Sequence, residues 1–307
     1  MHLELTPEQG SLTDSLRILF GRLAGPDRAR QLDDGVDRAL LDTLHDGGFL
    51  DIAASTEGGS LLDALLVVEA AEDAFARAPV AARVVVAPLV IEGPALAIGL
   101  VDADPTALVR YAGLCDAYLV LDGPQACYVE ASDVDATPVP TRWGYPLGRI
   151  EVRGGTRLGP GSADRLRAAW QLGLAAEMGA SMRRAVQLTA RYVSERHQFG
   201  RPIASFQAVS HRLARAAVAA EGAMWLARRA AADIDDHSMA ATAATYAADA
   251  ARLVTEGTHQ VTGAIGITRE YDLVLSTMRL GVLQSELGGA RRHALCLSEQ
   301  RWPRARS

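Results

Sequence analysis

The chain contains no lysine, few cysteines and few aromatic residues. All 31 basic residues among its 307 residues are arginines, and 37 acidic residues leave a net charge of −6. No basic tract stands out from this acidic background, which argues against a nucleic-acid partner. Cys115, Cys127 and Cys296 are too few and too scattered for a disulfide framework or a metal cluster. We therefore expect free thiols, no metal and a cytoplasmic location.

Long apolar runs are also missing. The first residues mix polar and apolar side chains and lack the basic-then-apolar layout of a secretory signal. No apolar stretch reaches the roughly 18 residues that a membrane span needs, so we expect no membrane association. Hydrophobic residues nevertheless make up 49% of the chain, which is enough for a sizeable buried core.

The sequence divides into three parts by its patterns. Residues 1–97 show helical spacing that opens with a start signal at Thr6, and they predict an N-terminal helical domain. Residues 98–160 hold short β-prone runs around an Asp122-Gly123 turn, then a proline-punctuated loop and a further short run, and they predict a small β-domain. Residues 161–307 are helical throughout. The predicted fold is mainly α with a small β insert.

Four long helical segments account for the last part of the chain. Apolar residues recur there at three- and four-residue steps over 162–193, 205–232, 238–261 and 272–299. Alanine-rich faces permit close helix packing and would also suit burial against another subunit. Four such helices predict an antiparallel C-terminal four-helix bundle.

Two segments of this bundle resemble a known family. "SERHQFGRPIASFQAVSHRLA", residues 194–214, joins the first two helices, and "HQVTGAIGITREYDL", residues 259–273, follows the third. Together they resemble two characteristic segments of the acyl-CoA dehydrogenases. The N-terminal stretches "LTPEQGSLTDSLRILF" and "GGFLDIAASTEGGSLLDALLVVEAAE" are also similar to that family's first domain. The resemblance implies a FAD-dependent oxidoreductase that desaturates a CoA thioester between its α and β carbons.

The resemblance also implies which residues reach the cofactor, held mainly by a neighbouring subunit. They are Arg196, Phe199, Gly200, Gln207, Gln260, Gly263 and Gly266; we call them the clamp residues. A planar guanidinium suits phosphate oxygens, an aromatic ring supplies an apolar wall, a glycine lets the backbone approach, and an amide can pair with a cofactor edge. Taken singly, each could be an ordinary surface or loop residue.

The chain departs from the family pattern at the flavin ring and at the base. The family's middle-domain motif of the Thr-Glu-Pro-x-x-Gly-Ser-Asp type has no counterpart, so we expect a truncated β-domain. The reaction needs a carboxylate to remove the α-proton while hydride leaves the β-carbon. The two positions where the family carries that glutamate hold Trp170 and Leu287. Glu286 is a neighbouring alternative, although adjacent helical positions normally point elsewhere; Glu177 is a weaker one.

Because the clamp residues are present while the base and the flavin-ring motif are absent, we expect one subunit of a heteromeric enzyme. The chain resembles the catalytically incomplete subunit of actinobacterial α2β2 acyl-CoA dehydrogenases, in which a homologous partner supplies the base and the flavin pocket. Such a subunit would be inactive alone, and its substrate would be an acyl-CoA, with a steroid side chain suggested by the family analogy alone. Two alternatives stay open. One is a self-sufficient homo-oligomeric dehydrogenase that uses Glu286, and the other is a flavin-free scaffold or regulatory protein.

Overall fold

A computed structural model describes residues 4–54, 59–141 and 144–302. Its helices are α1 Pro7–Leu23, α2 Pro26–Leu32, α3 Arg38–Asp46, α4 Leu61–Asp73, α5 Ser162–Glu195, α6 Gln207–Ala231, α7 His237–Thr262, α8 Leu273–Leu283 and α9 Gly289–Arg301. Its strands are β1 Ile98–Val101, β2 Val109–Arg110, β3 Ala117–Asp122, β4 Gln125–Glu130, β5 Val134–Val139, β6 Leu147–Val152, β7 Thr156–Arg157, β8 His197–Gln198 and β9 Arg201–Pro202. The predicted fold class, mainly α with a small β part, is confirmed.

The N-terminal helices begin where the sequence signals predict. Thr6 caps α1: its hydroxyl accepts from the Gln9 N–H at 3.3 Å, and the Gln9 side chain accepts from the Thr6 N–H at 3.1 Å. Pro7 occupies the first helical position, where its missing N–H costs nothing. Ser60 and Asp63 form the same kind of reciprocal cap on α4. The helix α4 packs against both α1 and α5, which ties the N-terminal helices to the bundle.

The β part forms two small sheets. In one sheet the order is β1-β3-β4-β7, with β1 parallel to β3; in the other it is β2-β6-β5. The β3–β4 hairpin follows the predicted turn, where Gly123 has φ 62°. The proline-punctuated loop was predicted wrongly, because β5 lies there and pairs with β6 along its whole length. Pro138 is tolerated since β5 is an edge strand with no neighbour on its other side among the described residues.

The bundle is built around α5, which is 34 residues long and buried along most of its middle. It contacts α6, α7 and α8, while α9 packs on α7. The prediction of one continuous helix over 272–299 was wrong. Leu287 has φ 52°, and Gly288 and Gly289 have φ 79° and 70°, so the backbone turns into the left-handed region and the helix breaks. The fourth position of the bundle is therefore shared by α8 and α9.

One hydrophobic cluster runs through all three stretches of the chain. It includes Phe20 and Leu65 from the N-terminal helices, Ile98 and Leu119 from the sheets, and Leu172 from α5. The division into 1–97, 98–160 and 161–307 stays a prediction. Within the described residues, no helix combines the length and apolar character needed to cross a bilayer.

Candidate functional site: a solvent-facing corner and a central cavity

The junction between α5 and α6 forms a small hairpin at the end of the bundle. After α5 ends, β8 pairs with β9 through a turn made by two residues, Phe199 and Gly200. Both have positive φ, 54° and 78°, which is the requirement of a type I′ turn. Glycine meets this requirement without cost, whereas phenylalanine in the left-handed region stores strain.

Phe199 is both strained and exposed. Its side chain is 91% accessible, and the nearest described aromatic ring, that of Phe206, meets it edge-on with centroids 6.0 Å apart. A buried aromatic would recover the cost of its backbone from packing, but Phe199 has little packing within this chain. Such an arrangement is typical of residues held for a ligand or partner.

The polar clamp residues have no side-chain partner in the described part of the chain. Arg196 and Gln207 are exposed, and neither side chain makes a hydrogen bond or ion pair there. Glu195, the nearest acidic neighbour, pairs with Arg191 at 3.1 Å and leaves Arg196 uncompensated. Gln207 is also the first residue of α6, where backbone N–H groups are free and the helix dipole favours an anion.

The second clamp segment closes α7. Gln260 is exposed in its last turn, and Gly263 ends the helix with φ 65°. Gly266 is buried so tightly that an added Cβ would lie 2.1 Å from the Thr262 hydroxyl oxygen. Beside it, the side chain of Ile267 is 69% exposed. This loop therefore requires glycine at position 266 for its own packing, and it also exposes the apolar side chain of Ile267.

Tyr271 brings the two segments to the same end of the bundle. Its hydroxyl donates to the Leu188 carbonyl in α5 at 2.6 Å, and its ring lies 5.7 Å from that of Tyr192. The loop that follows α7 thus packs against the last turns of α5, close to where Arg196 leaves the helix. Free cationic and amide donors, an exposed ring and glycines suit the adenosine diphosphate half of FAD.

A second feature is a cavity of about 480 Å³ between the sheets and the bundle, which we call the central cavity. Its walls come from β1, β2, α5 and the α8–α9 connection. Leu100, Leu108, Leu147 and Val282 make much of the lining apolar. Asp102 also lines the cavity. This is the volume expected of a small-molecule pocket.

Charged side chains close the inner end of the central cavity. Arg110, on β2, donates to both oxygens of Glu177 at 2.8 and 2.9 Å and also bonds the Glu286 carboxylate. The indole N–H of Trp170 donates to Glu286 at 2.7 Å. The side chains of Arg110, Glu177 and Glu286 are only 11%, 6% and 9% exposed. We call these three residues the carboxylate–arginine cluster.

Burial dominates the electrostatics of this cluster. It raises the pKa of Glu177 to about 7, even though Arg110 opposes the shift. Burial also lowers the pKa of Arg110, but Glu177 and Glu286 more than offset this effect and hold it above its ordinary value. One guanidinium thus faces two carboxylates, so the ionised cluster carries one net negative charge in a desolvated place.

The two residues predicted to occupy the family's base positions, Trp170 and Leu287, both line this cavity. Trp170 is buried and lends its N–H to Glu286, while Leu287 is buried in the left-handed conformation that breaks the helix. Glu286 does line the cavity, but its carboxylate is engaged by Arg110 and Trp170 together. Sequence reasoning missed Arg110, which no motif marks. Within the described residues, no group of three or more His, Cys, Asp or Glu side chains could hold a metal ion.

The fold is shared with solved acyl-CoA dehydrogenases, and the C-terminal part of the chain matches that family in sequence. Residues 170–291 match the family described as "Acyl-CoA dehydrogenase, C-terminal domain". The chain therefore carries an acyl-CoA dehydrogenase C-terminal domain within that family's fold, and the resemblance inferred from the sequence is confirmed.

One relative matches part of the sequence, and two solved structures match nearly the whole fold. The acyl-CoA dehydrogenase FadE34 of Mycobacterium tuberculosis is 40% identical over 125 residues, which are 39% of this chain and 18% of that protein. The match thus spans about a fifth of that relative. The ChsE4-ChsE5 complex from Mycobacterium tuberculosis matches with a TM-score of 0.85 at 22% identity, over 99% of this chain and 100% of the matched chain. The Tcur3481-Tcur3483 steroid ACAD matches with a TM-score of 0.81 at 22% identity, over 96% and 97%.

Proposed function

We propose that this chain is one subunit of a FAD-dependent acyl-CoA dehydrogenase, assembled with a homologous subunit that supplies the catalytic base and the flavin-ring pocket. The carboxylate–arginine cluster is the observation that carries the proposal. Glu286 is the carboxylate nearest to the family's base positions, and it is held by Arg110 and Trp170. A base must be free to take up a proton from substrate, so a carboxylate in this state is poorly suited to the task.

The clamp residues support a role in trans. Arg196, Gln207 and Gln260 are exposed and have no side-chain partner in the described residues, and Phe199 is held in a strained turn facing outward. Their exposure and their lack of partners within the described residues support binding to a ligand or partner outside the chain. In the proposed assembly Arg196 and the start of α6 bind the diphosphate of FAD, while Phe199 packs along the cofactor and excludes water.

In the proposed complex, FAD would supply the acceptor for the hydride that leaves the substrate's β-carbon. This chain's own residues contribute binding and orientation. Arg196 neutralises phosphate charge, Gln207 and Gln260 fix the register of the cofactor through their amides, and Gly200 lets the backbone approach. The proton from the substrate's α-carbon is taken by the partner subunit.

The substrate is a CoA thioester. Two structures that match along nearly the whole chain are a complex named for two proteins and a steroid ACAD. These matches support a heteromeric α2β2 assembly and a bulky substrate such as the CoA thioester of a steroid side chain. Arg110, Glu177 and Glu286 fill the inner end of this chain's own cavity, which is consistent with one working site for each pair of subunits.

The test is co-expression with homologous acyl-CoA dehydrogenase subunits, followed by measurement of FAD per chain and of acyl-CoA-dependent flavin reduction. We expect this chain to purify colourless alone and to yield a yellow complex with its partner. In that complex Arg196→Ala should lower FAD retention at least tenfold, because a charge-assisted phosphate contact is lost.

Arg157→Ala is the matched control, since Arg157 is also exposed but pairs with Asp122 in the β part of the chain, outside the clamp segments. It should leave FAD retention unchanged. A chain that is yellow alone, and whose flavin is reduced by acyl-CoA until Glu286→Gln abolishes the reaction, would establish the self-sufficient enzyme instead. A chain that never captures flavin with any homologous partner would leave only the scaffold role.

A further inference from the structure

A second large cavity lies away from both the clamp residues and the central cavity. It has a volume of about 680 Å³ and lies where α1, α4, α5 and α6 meet; we call it the N-terminal cavity. Leu5, Phe20, Leu66 and Ala70 give it apolar walls. The size and apolar lining are those of a small-molecule site.

The remaining walls are unusually rich in charge. Arg17, Arg183, Arg184 and Arg228 line the cavity together with Glu69 and Asp73. Four cations therefore face two anions. A cavity with apolar walls and excess positive charge favours a ligand that combines an apolar body with an anionic group, provided that the cations are not already neutralised.

Three of the four arginines are neutralised within the described residues. Arg183 bonds Asp73 at 2.7 Å. Arg228 bonds Glu69 at 3.0 Å. Arg17 pairs with Asp14, three residues earlier on α1, at 2.8 Å. Arg183 also lies 3.5 Å from Glu69, so both acidic wall residues are already paired with arginines other than Arg184.

Among the described residues, Arg184 is the one arginine of the four that has no ion-pair partner. Its guanidinium makes no hydrogen bond or ion pair with the described residues, and its Nε is buried without a partner. The guanidinium carbon lies 5.5 Å from the centre of the Phe75 ring, which fixes its direction. Asp73 acts on it electrostatically, but the Asp73 carboxylate is bonded to Arg183. A half-buried cation of this kind is costly unless something binds it.

We propose that the N-terminal cavity binds a small organic anion, a carboxylate or phosphate attached to an apolar body, with Arg184 as the residue that binds the anionic group. The apolar body lies against Phe20 and Leu66. Gln187, at the rim, offers an amide for a second polar group. This site is separate from the proposed cofactor clamp, and its ligand plays no part in the flavin reaction.

The direct test is fluorescence titration of the full chain with anilinonaphthalene sulfonate, an aromatic anion, followed by displacement with decanoate. We expect about one equivalent to bind and decanoate to displace it. Arg184→Met should weaken binding at least tenfold, because the charge-assisted contact is lost. Arg191→Met, on the exposed end of the same helix, should change nothing.

A second variant blocks the site without removing charge. Gly21 lines the cavity on α1, and a Cβ added there would meet nothing within 4 Å. Gly21→Leu should therefore fold at least as well as the parent, since leucine has a higher helix propensity than glycine. Its side chain should occupy the site, so that decanoate no longer displaces any bound probe. Circular dichroism and thermal unfolding of Gly21→Leu check that the fold is kept.

Displacement by decanol as effective as that by decanoate would overturn the proposal, because the site would then be merely apolar. Binding that survives both Arg184→Met and Gly21→Leu would place the probe elsewhere, and absence of binding would exclude the site. Trp225 offers a local reporter, since its ring lies 5.4 Å from the Arg228 guanidinium. Its emission should respond to decanoate in the parent and not in Gly21→Leu.

Discussion

The charge on Glu177 should control how the stability of this chain depends on pH. Arg110 bonds both Glu177 and Glu286, and the three side chains are at most 11% exposed. Burial raises the pKa of Glu177 to about 7 from the ordinary 4.5 despite the arginine. The folded chain therefore holds this proton more tightly than the unfolded chain does.

The sign of the effect follows from that difference. The contribution of Glu177 to stability is fully present below about pH 4.5 and is lost as the pH rises through about 7. The difference between the folded and unfolded pKa corresponds to a few kcal/mol, and most of it, roughly 2–3 kcal/mol, is lost between about pH 5 and about pH 8. Other groups also titrate in this range, so the effect is best measured as a difference between two proteins.

Glu177→Gln is the appropriate perturbation, because glutamine keeps the shape and one oxygen for Arg110 but cannot ionise. The carboxylate–arginine cluster then becomes neutral, with Arg110 paired to Glu286. The free energy of unfolding of the variant minus that of the parent should rise by roughly 2–3 kcal/mol as the pH increases from about 5 to about 8. Urea unfolding at a series of pH values measures this difference by linear extrapolation.

Glu256→Gln is the matched control, since Glu256 is exposed and pairs only with Arg252, one turn away on α7. Its difference from the parent should stay within about 0.5 kcal/mol at every pH. If the parent and Glu177→Gln gave parallel curves of unfolding free energy against pH, Glu177 would not be the titrating group. The electrostatic account of the cluster would then be refuted.

Three further predictions concern other residues. Gly266→Ala should destabilise the chain by about 1–3 kcal/mol through its clash with the Thr262 hydroxyl, and adding Thr262→Ala should recover part of this in thermal unfolding; an unchanged midpoint would contradict the clash. Phe199→Asn should stabilise the chain by about 1 kcal/mol, because asparagine tolerates φ 54°, while lowering FAD retention in the complex; equal retention would remove Phe199 from the clamp. Burial lowers the pKa of His293 to about 4, so its contribution to stability is present above pH 6.5 and is lost as the pH falls toward 4. His293→Gln should reduce this acid sensitivity in urea unfolding, and an unaltered acid limb would exclude His293 as its cause.

Local signals in the sequence were sufficient for much of the fold. The cap at Thr6 and the turn at Gly123 depend on residues a few positions apart, and the structure places both as predicted. The helix α5 could also be predicted, because its apolar residues recur at helical spacing within one continuous segment. Sequence patterns therefore predicted well wherever the deciding interaction is local.

The errors occurred where distant contacts decide the conformation. Pro138 suggested a loop, but an edge strand needs N–H donors on one side only, and which strand lies at an edge is a property of the whole sheet. Leu287 sits within an apolar helical pattern, yet Gly288 and Gly289 break the helix there. Two adjacent glycines favour a helix break, but the prediction gave more weight to the apolar periodicity around them.

The candidate site shows the same division. The clamp residues follow from two contiguous motifs, and their assignment to FAD remains a prediction. Arg110 lies 67 residues from Glu177 and 176 residues from Glu286, so no spacing rule connects them. Only the packing of β2 against α5 and the α8–α9 connection brings the three together. A buried cation without a motif cannot be distinguished in the sequence from a solvated surface arginine.

The contrast between the middle of α5 and its C-terminal end bears on why such a chain would exist. Its middle carries Glu177, whose charge is matched inside the chain by Arg110, whereas its end leads into Arg196, whose charge has no partner among the described residues. Exposed cations cost little, but Phe199 stores backbone strain that this chain's own packing does not repay. Contact with another molecule is one way to offset strain of that kind. The strained corner faces outward, and it is there, rather than at the carboxylate–arginine cluster, that selection for binding would act.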